Sequence, residues 1–277
     1  MSLPLVSVVV PTHNRPAMLA EALASVRAQT YADYEIIVVS NGESDDMRRQ
    51  SHDVAMAHDC RYFALPDGNL PAARNFGTEH AKGEWIAFLD DDDLWLPRKL
   101  ERQLDEARRI DADMISCGPP LEGWSYRDSG QPQLFLKLAS HDHAWATPSS
   151  IMVRKRAIKE AGGFDSRQRY CEDIDLWRRI SWSFAIHHMD DFLIQVRAGH
   201  DRMSSRSSTL YLYSLRHLIK MYIDTPAHLR WALPSITLFV LHRVAIILAP
   251  RWLLRLRPRQ RLIRWASMRV EREDKGM

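Results

Sequence analysis

Trp85-Ile86-Ala87-Phe88-Leu89-Asp90-Asp91-Asp92-Asp93 sets five apolar residues directly against four carboxylates. An apolar run without alternation is the pattern of a strand covered on both faces. In open α/β sheets ligands gather outside the carboxyl ends of the strands, which is where the acid run falls. In extended chain Asp90 and Asp92 share one face and Asp91 and Asp93 the other. Alternate carboxylates can then converge on a hard cation, Mn2+ or Mg2+, which takes one or two carboxylates together with substrate phosphates. The plain alternative is a solvated acidic turn ahead of a helix starting near Pro97.

Working outward, Val6 to Val10 is a second run of this kind, ended by Pro11 and a polar turn. Leu19, Ala22, Leu23 and Val26 recur at helical spacing up to Gln29, and Glu35 to Val39 is strand-like again before Ser40-Asn41-Gly42. Arg61 to Leu65, Leu70 to Ala81 with its early Pro71, and Trp85 to Leu89 repeat strand, helix and strand. Such alternation predicts an α/β fold with a mainly parallel central sheet. Further on, the pattern predicts a helix over Pro97 to Ile110 and a strand over Met114 to Cys117. A strand over Ile151 to Val153, a helix near Arg156 to Ala161 and a helix from Glu172 to about Ile180 follow. Glu122 to Trp145 holds no sustained period and reads as a long loop. Beyond about Ser208 the pattern turns helical.

The chain of 277 residues is 45% hydrophobic and 26% charged, which places it among folded globular proteins and excludes both disorder and a polytopic membrane protein. Cys60, Cys117 and Cys171 are odd in number and widely spaced, so neither a disulfide framework nor a C-x-x-C metal or redox site is expected. Met1-Ser2-Leu3-Pro4 lacks a basic leader, and the apolar run behind it stops at Pro11, too short for a signal peptide. A reduced, cytoplasmic setting is the expectation.

Five segments carry a resemblance. Val8-Val9-Val10-Pro11-Thr12-His13-Asn14-Arg15, then Glu35 to Gly42, then Ala73-Arg74-Asn75-Phe76-Gly77, then Phe88 to Asp93, then Glu172-Asp173-Ile174-Asp175-Leu176-Trp177 resemble, in this order, glycosyltransferase family 2. The resemblance covers about residues 4 to 205. It implies the GT-A fold, Rossmann-like with a mainly parallel sheet, over 1–207, with a C-terminal helical appendage over 208–277. It also implies an enzyme that inverts the anomeric centre of a nucleotide-sugar donor.

By the same resemblance Pro11, Thr12 and Asn14 line the nucleotide pocket and Arg15 lies near the base or diphosphate. Asn41 stands where the family usually carries an Asp that reads the base, and Ser40-Asn41 replaces the usual pair of acids, which leaves the base open. Asn still offers both a donor and an acceptor to a uracil or thymine edge. Arg74 approaches the nucleotide or its phosphates, Asp90 the ribose or the metal shell, and Asp91 belongs to the same nucleotide-binding run. Asp92 and His200 are the implied metal ligands, with Arg197 beside them.

Inversion needs a group that takes the acceptor hydroxyl's proton as it attacks opposite the leaving diphosphate. Asp173 is the candidate, with Glu172 as the alternative. Both open a predicted helix, where the dipole favours an ionised carboxylate. A cap without chemistry is the competing reading.

The last segment supplies the partner expectations. Trp231 to Ala249 is largely apolar, but His242-Arg243 sits near its middle, and a central Arg costs about 2.5–3.5 kcal/mol to insert. Arg251, Arg255, Arg257, Arg259, Arg261, Arg264 and Arg269 alternate with Leu253, Leu254, Leu256, Leu262 and Ile263. This interleaving predicts peripheral contact with the cytoplasmic face of a membrane rather than nucleic-acid binding. The acceptor expected with it is a glycan or lipid-linked glycan of a cell-surface polysaccharide, and the expected donor a UDP-sugar. Two competitors remain. A sugar nucleotidyltransferase would need a glycine-rich basic loop where Pro11-Thr12-His13-Asn14 stands, and a non-catalytic binding protein of the same fold is suggested by Ser40-Asn41 alone.

Overall fold

The computed structural model describes residues 5–118, 147–168, 171–197, 220 and 223. All but the last two belong to one compact unit, and the account below concerns that unit. The predicted loop over 122–145, the appendage over 208–277 with its apolar and arginine-rich stretches, and His200 lie outside the described residues. Among the described residues no helix is long and apolar enough to cross a membrane.

The unit is built on a seven-stranded sheet in the order β3-β2-β1-β4-β7-β6-β8. Its parallel half comprises β1 (Val6–Thr12), β2 (Tyr34–Asn41), β3 (Arg61–Leu65) and β4 (Trp85–Phe88). β7 (Met152–Arg154) runs antiparallel to both β4 and β6 (Met114–Cys117), and β8 (Ile186–Met189) lies parallel to β6. A two-stranded ribbon of β5 (Asp93–Trp95) and β9 (Ile194–Val196) stands apart. The helices are α1 (Pro16–Arg27), α2 (Asp45–Ala57), α3 (Leu70–His80), α4 (Lys99–Ile110), α5 (Lys155–Glu160) and α6 (Glu172–Ile180).

The two strands read as buried on both faces are so. Val6, Val8, Val9 and Val10 are fully inaccessible, as are Ile86, Ala87, Phe88 and Leu89. Strand β1 nevertheless does not end at Val10 but continues through Pro11 to Thr12. The reason is a matter of sides. The Leu89 N–H donates to the Val9 carbonyl, so the backbone of Val9, and of Pro11 two residues on, faces β4. Because β4 stops at Phe88, the N–H that proline lacks has no strand opposite it.

The α3 helix starts on Asn69, whose side chain accepts from Ala72 N at 3.0 Å, with Pro71 in its first turn. It lies close on the sheet at Gly77, where a Cβ would come within 2.4 Å of Val9 Cγ1. The α4 helix begins at Lys99, two residues after the predicted start, because the Pro97 carbonyl is taken by Thr30 N at 2.8 Å.

Lys99 is an anomaly of this core. It is completely buried, donates to Gln103 Oε1 at 2.7 Å and lies 4.1 Å from the centre of the Trp95 ring. Burial pulls its pKa down to about 8 from 10.5. Below pH 8 the folded protein therefore holds a buried charge. Between the two values the unfolded chain binds more protons, so wild-type stability rises with pH there. Lys99→Met is expected to lose about 3 kcal/mol of relative stability between pH 7 and pH 10.5, as the wild type sheds that burden. Urea midpoints of both proteins at the two pH values measure it, and parallel curves would refute it.

Candidate active site

The acid run is a turn, not a strand. Asp93 N donates to the Asp90 carbonyl at 3.0 Å, which closes the chain on itself before β5, yet Asp91 and Asp93 are buried while Asp90 and Asp92 are not, so alternate acids still share a side. The four carboxylates go separate ways. Asp93 is buried and accepts from Ser149 Oγ at 2.7 Å, while the same hydroxyl accepts from Asp90 N at 3.1 Å. Asp91 is buried as well and accepts from Thr12 Oγ1 at 2.8 Å, His13 N at 3.3 Å and Arg15 at 3.4 Å. Burial pushes the Asp91 carboxyl up to about 6, against the pull of Thr12 and Arg15. Asp92 accepts from Arg15 at 3.0 Å and Asp90 from Arg74 at 2.6 Å. The side chains of Asp90 and Asp92 remain 26% and 20% exposed, so these two keep oxygen lone pairs for an outside partner.

Among the described residues no three His, Cys, Asp or Glu side chains converge as a closed metal cage. An open pair of carboxylates suits a cation that shares its shell with substrate phosphates, since Mg2+ and Mn2+ take hard oxygen donors and Mg2+ needs only one or two from protein. The donor set therefore fits such an ion.

Next to this turn, the loops after β1 and β2 are stitched together. Asn14 adopts a left-handed backbone at φ 56° and donates its N–H to Glu43 Oε1 at 2.8 Å. Glu43 also accepts from Ser40 Oγ at 2.6 Å and Ser51 Oγ at 3.0 Å. Asn41 donates its amide to the Thr12 carbonyl at 2.8 Å, and its own carbonyl lies 2.6 Å from His13 Nδ1. Thr12, Asn14, Arg15, Asn41 and Asp91 thus form one connected corner, and Pro11 sits buried at its base. Sequence reasoning missed Glu43 and Ser149. The only signal for Glu43 was an acid directly after the Asn41-Gly42 turn.

Asp173 comes from a later segment, packed through Trp177 on Phe88 of β4. Helix α6 begins at Glu172, after Cys171 in a left-handed conformation at φ 56°. Asp173 Oδ1 accepts from Ile174 N at 2.8 Å, as expected of a carboxylate at a helix start. Burial raises the Asp173 pKa, Arg74 opposes this, and Asp90 adds to it. Glu172 is buried and accepts from Arg74 at 2.9 Å. Burial and Asp173 raise its pKa while Arg74 opposes them. Arg74 itself is 1% exposed, and its guanidinium donates to Asp90 and Glu172. Arg197 reaches back from the end of β9 and donates to the backbone carbonyls of Asp92 at 3.0 Å and Asp91 at 3.4 Å. It braces the turn through the main chain.

A mainly parallel sheet with an acid turn at the end of β4, a polar corner after β1 and β2, and a carboxylate at the start of a helix beyond β7 define the GT-A class of nucleotide-sugar transferase folds. Residues 7–210 match the family model for glycosyl transferase family 2, and the chain belongs to that family. A curated relative described as an uncharacterized glycosyltransferase of Rickettsia felis is 30% identical over 216 residues, covering 74% of this chain and 36% of its own length. The chain thus matches only about a third of that relative. The O-antigen biosynthesis glycosyltransferase WbnJ of Escherichia coli is 26% identical, covering 79% of this chain and 90% of its own. Among solved structures, Staphylococcus aureus TarS in complex with UDP-GlcNAc superposes with a TM-score of 0.64 at 17% identity, over 84% of this chain and 71% of its own. A mannosyltransferase of Pyrobaculum calidifontis in complex with GDP-Man and Mn2+ gives 0.63 at 18% identity, over 98% and 81%.

Proposed function

We propose that the protein is an inverting glycosyltransferase that moves a hexosyl or N-acetylhexosaminyl group from a nucleoside diphosphate to a hydroxyl of a glycan or lipid-linked glycan. The observation that carries this reading is the Arg74 bridge between Asp90 of the acid turn and Glu172, the neighbour of Asp173 at the start of α6. Asp173 takes the acceptor proton as the acceptor oxygen bonds to the anomeric carbon. The bond from that carbon to the phosphate oxygen breaks on the opposite face, and the nucleoside diphosphate leaves with the electron pair. Mn2+ or Mg2+ would be held by Asp92 and His200 and would supply positive charge beside the leaving diphosphate, with Asp90 toward the ribose or the metal shell. Pro11, Thr12, Asn14, Arg15, Asn41 and Asp91 form the nucleotide corner.

One amide N–H of Asn41 is given to the Thr12 carbonyl, which leaves the second N–H and Oδ1 as a donor and an acceptor for a base edge such as that of uracil. The complex of the fold neighbour TarS with UDP-GlcNAc supports a UDP-sugar as donor. The relative WbnJ, a glycosyltransferase of O-antigen biosynthesis, supports a surface-polysaccharide acceptor. The basic, apolar segment over 208–277 supports attachment to the cytoplasmic face of a membrane, with the catalytic domain over 1–207.

Calorimetric titration with UDP, GDP, dTDP and CMP, each with Mn2+, Mg2+ or chelator, tests the reading. UDP is expected to bind with metal, to weaken at least about tenfold in chelator, and to outcompete CMP. Failure of all four nucleotides under every condition would sink it.

A further inference from the structure

Helix α3 does more than cover the sheet. Three of its polar side chains reach into the segment that leads to Asp173. Asn69 donates to the Ser166 carbonyl at 2.9 Å. Asn75 pairs its amide with both backbone groups of Phe164, donating at 2.7 Å and accepting at 2.8 Å. A Cβ on Gly163, which holds φ 69°, would come within 2.8 Å of Asn75 Oδ1, so only glycine lets the segment lie this close. Arg74 completes the set, with one nitrogen on Glu172, another on Asp90, and its guanidinium 5.5 Å from the centre of the Phe164 ring.

Arg74 is an expensive residue to keep here. It is 1% exposed, and its Nε is buried without a hydrogen-bond partner among the described residues. Burial would pull its pKa down, but Asp90 and then Glu172 outweigh it and keep the guanidinium charged. A planar fork can serve two carboxylates at once, which a lysine ammonium on a flexible stem does poorly. The two carboxylates stand 16 and 98 positions from Arg74 in the chain, so the fork spans the two halves of the site.

We infer that Arg74 is a positioning residue that fixes the helix bearing Asp173 against the Asp90–Asp92 turn, and that it is not a ligand of the nucleotide. This rests on the proposed transferase reading. It predicts a split between binding and turnover, because a base displaced by about 1 Å costs about 100-fold in rate while the nucleotide corner is untouched.

The test uses the full chain with Arg74→Met, Arg74→Lys, Glu172→Gln and the double variant Arg74→Met/Glu172→Gln. The double variant removes the acid that Arg74→Met would leave buried and unpaired, so it answers the question even if the single variant unfolds. UDP with Mn2+ is the binding probe. Hydrolysis of UDP-glucose, UDP-N-acetylglucosamine and GDP-mannose, with water as acceptor, is the turnover probe. Expected are a Kd for UDP within about threefold of wild type in every folded variant, and a kcat about 100-fold lower in Arg74→Met than in wild type and in the double variant than in Glu172→Gln alone, the proper reference because Glu172 is the alternative base. Arg74→Lys should fall between Arg74→Met and wild type. A Kd that rises in step with the loss of kcat would make Arg74 a nucleotide ligand and overturn the inference. So would a folded double variant with the kcat of Glu172→Gln, which would leave Arg74 a purely structural residue. A wild-type protein that neither binds UDP nor hydrolyses any of the three donors would overturn the transferase reading itself, and this inference with it.

Discussion

Asp173→Asn is expected to lower turnover by about 10^3-fold while leaving the affinity for UDP with metal within a few-fold of wild type. The substitution keeps the shape and the acceptor for Ile174 N, so the start of α6 should persist. What it removes is the ability to take a proton. The wild-type rate should also rise with pH along a limb displaced upward from the ordinary carboxylate range, because burial, with Asp90 adding, outweighs Arg74 and raises the Asp173 pKa. Below that limb Asp173 is protonated and cannot act as base. In Asp173→Asn the limb should disappear. A pH–rate profile that keeps its acidic limb in the variant would assign the base elsewhere, with Glu172 next in line.

Asp92→Ala should abolish the effect of metal on nucleotide affinity. In the wild type, Mn2+ is expected to tighten UDP binding by about 100-fold, which corresponds to the several kcal/mol that a cation contributes at a diphosphate. In the variant the gain should be under about threefold. Asp93→Ala provides the contrast. Asp93 is buried on Ser149, so its removal should lower stability rather than erase the metal response. Equal metal dependence in wild type and Asp92→Ala, read by calorimetry with and without chelator, would remove Asp92 from the metal shell.

Elements with mainly apolar runs were legible in the sequence because burial on both faces leaves few polar residues to confuse the reading, Ser7, Glu35 and Ser116 among them. Strands β1, β2, β4 and β6 are of this kind. Helix α2 escaped because the apolar residues of Asp45–Ala57 crowd at its end, Met47 apart, and it buries only Ser51 and Ala55. It is set by its Ser44 cap and by Asp45 and Asp46 in its first turn, signals too local to outweigh a missing apolar stripe. Strand β8 escaped for a different reason. Its Ile-His-His-Met sequence seats both histidines on polar partners, His187 against Glu106 at 3.1 Å and His188 against Ser116 at 2.8 Å, and neither pairing shows along the chain.

The same distinction governs the site. Asp90, Asp92 and Asp173 could be named because motif order carries them. The separate fates of the four adjacent acids depended on Thr12, Arg15, Arg74 and Ser149, which come from four other segments. The turn at Asp90 followed from a backbone bond that side-chain pattern does not encode.

Pro11 gives the cleft a permanent seam. In a parallel ladder the next rung beyond the Leu89 to Val9 bond would run from the N–H of residue 11 to the Leu89 carbonyl. Proline has no hydrogen to form it, so β4 cannot zip further along β1. The chain after Leu89 must swing out of the sheet, and the acids that follow are carried into the open mouth instead of being absorbed into another pair of strands. A missing hydrogen atom, five residues before α1 begins, thus fixes where the sheet parts and where chemistry can enter.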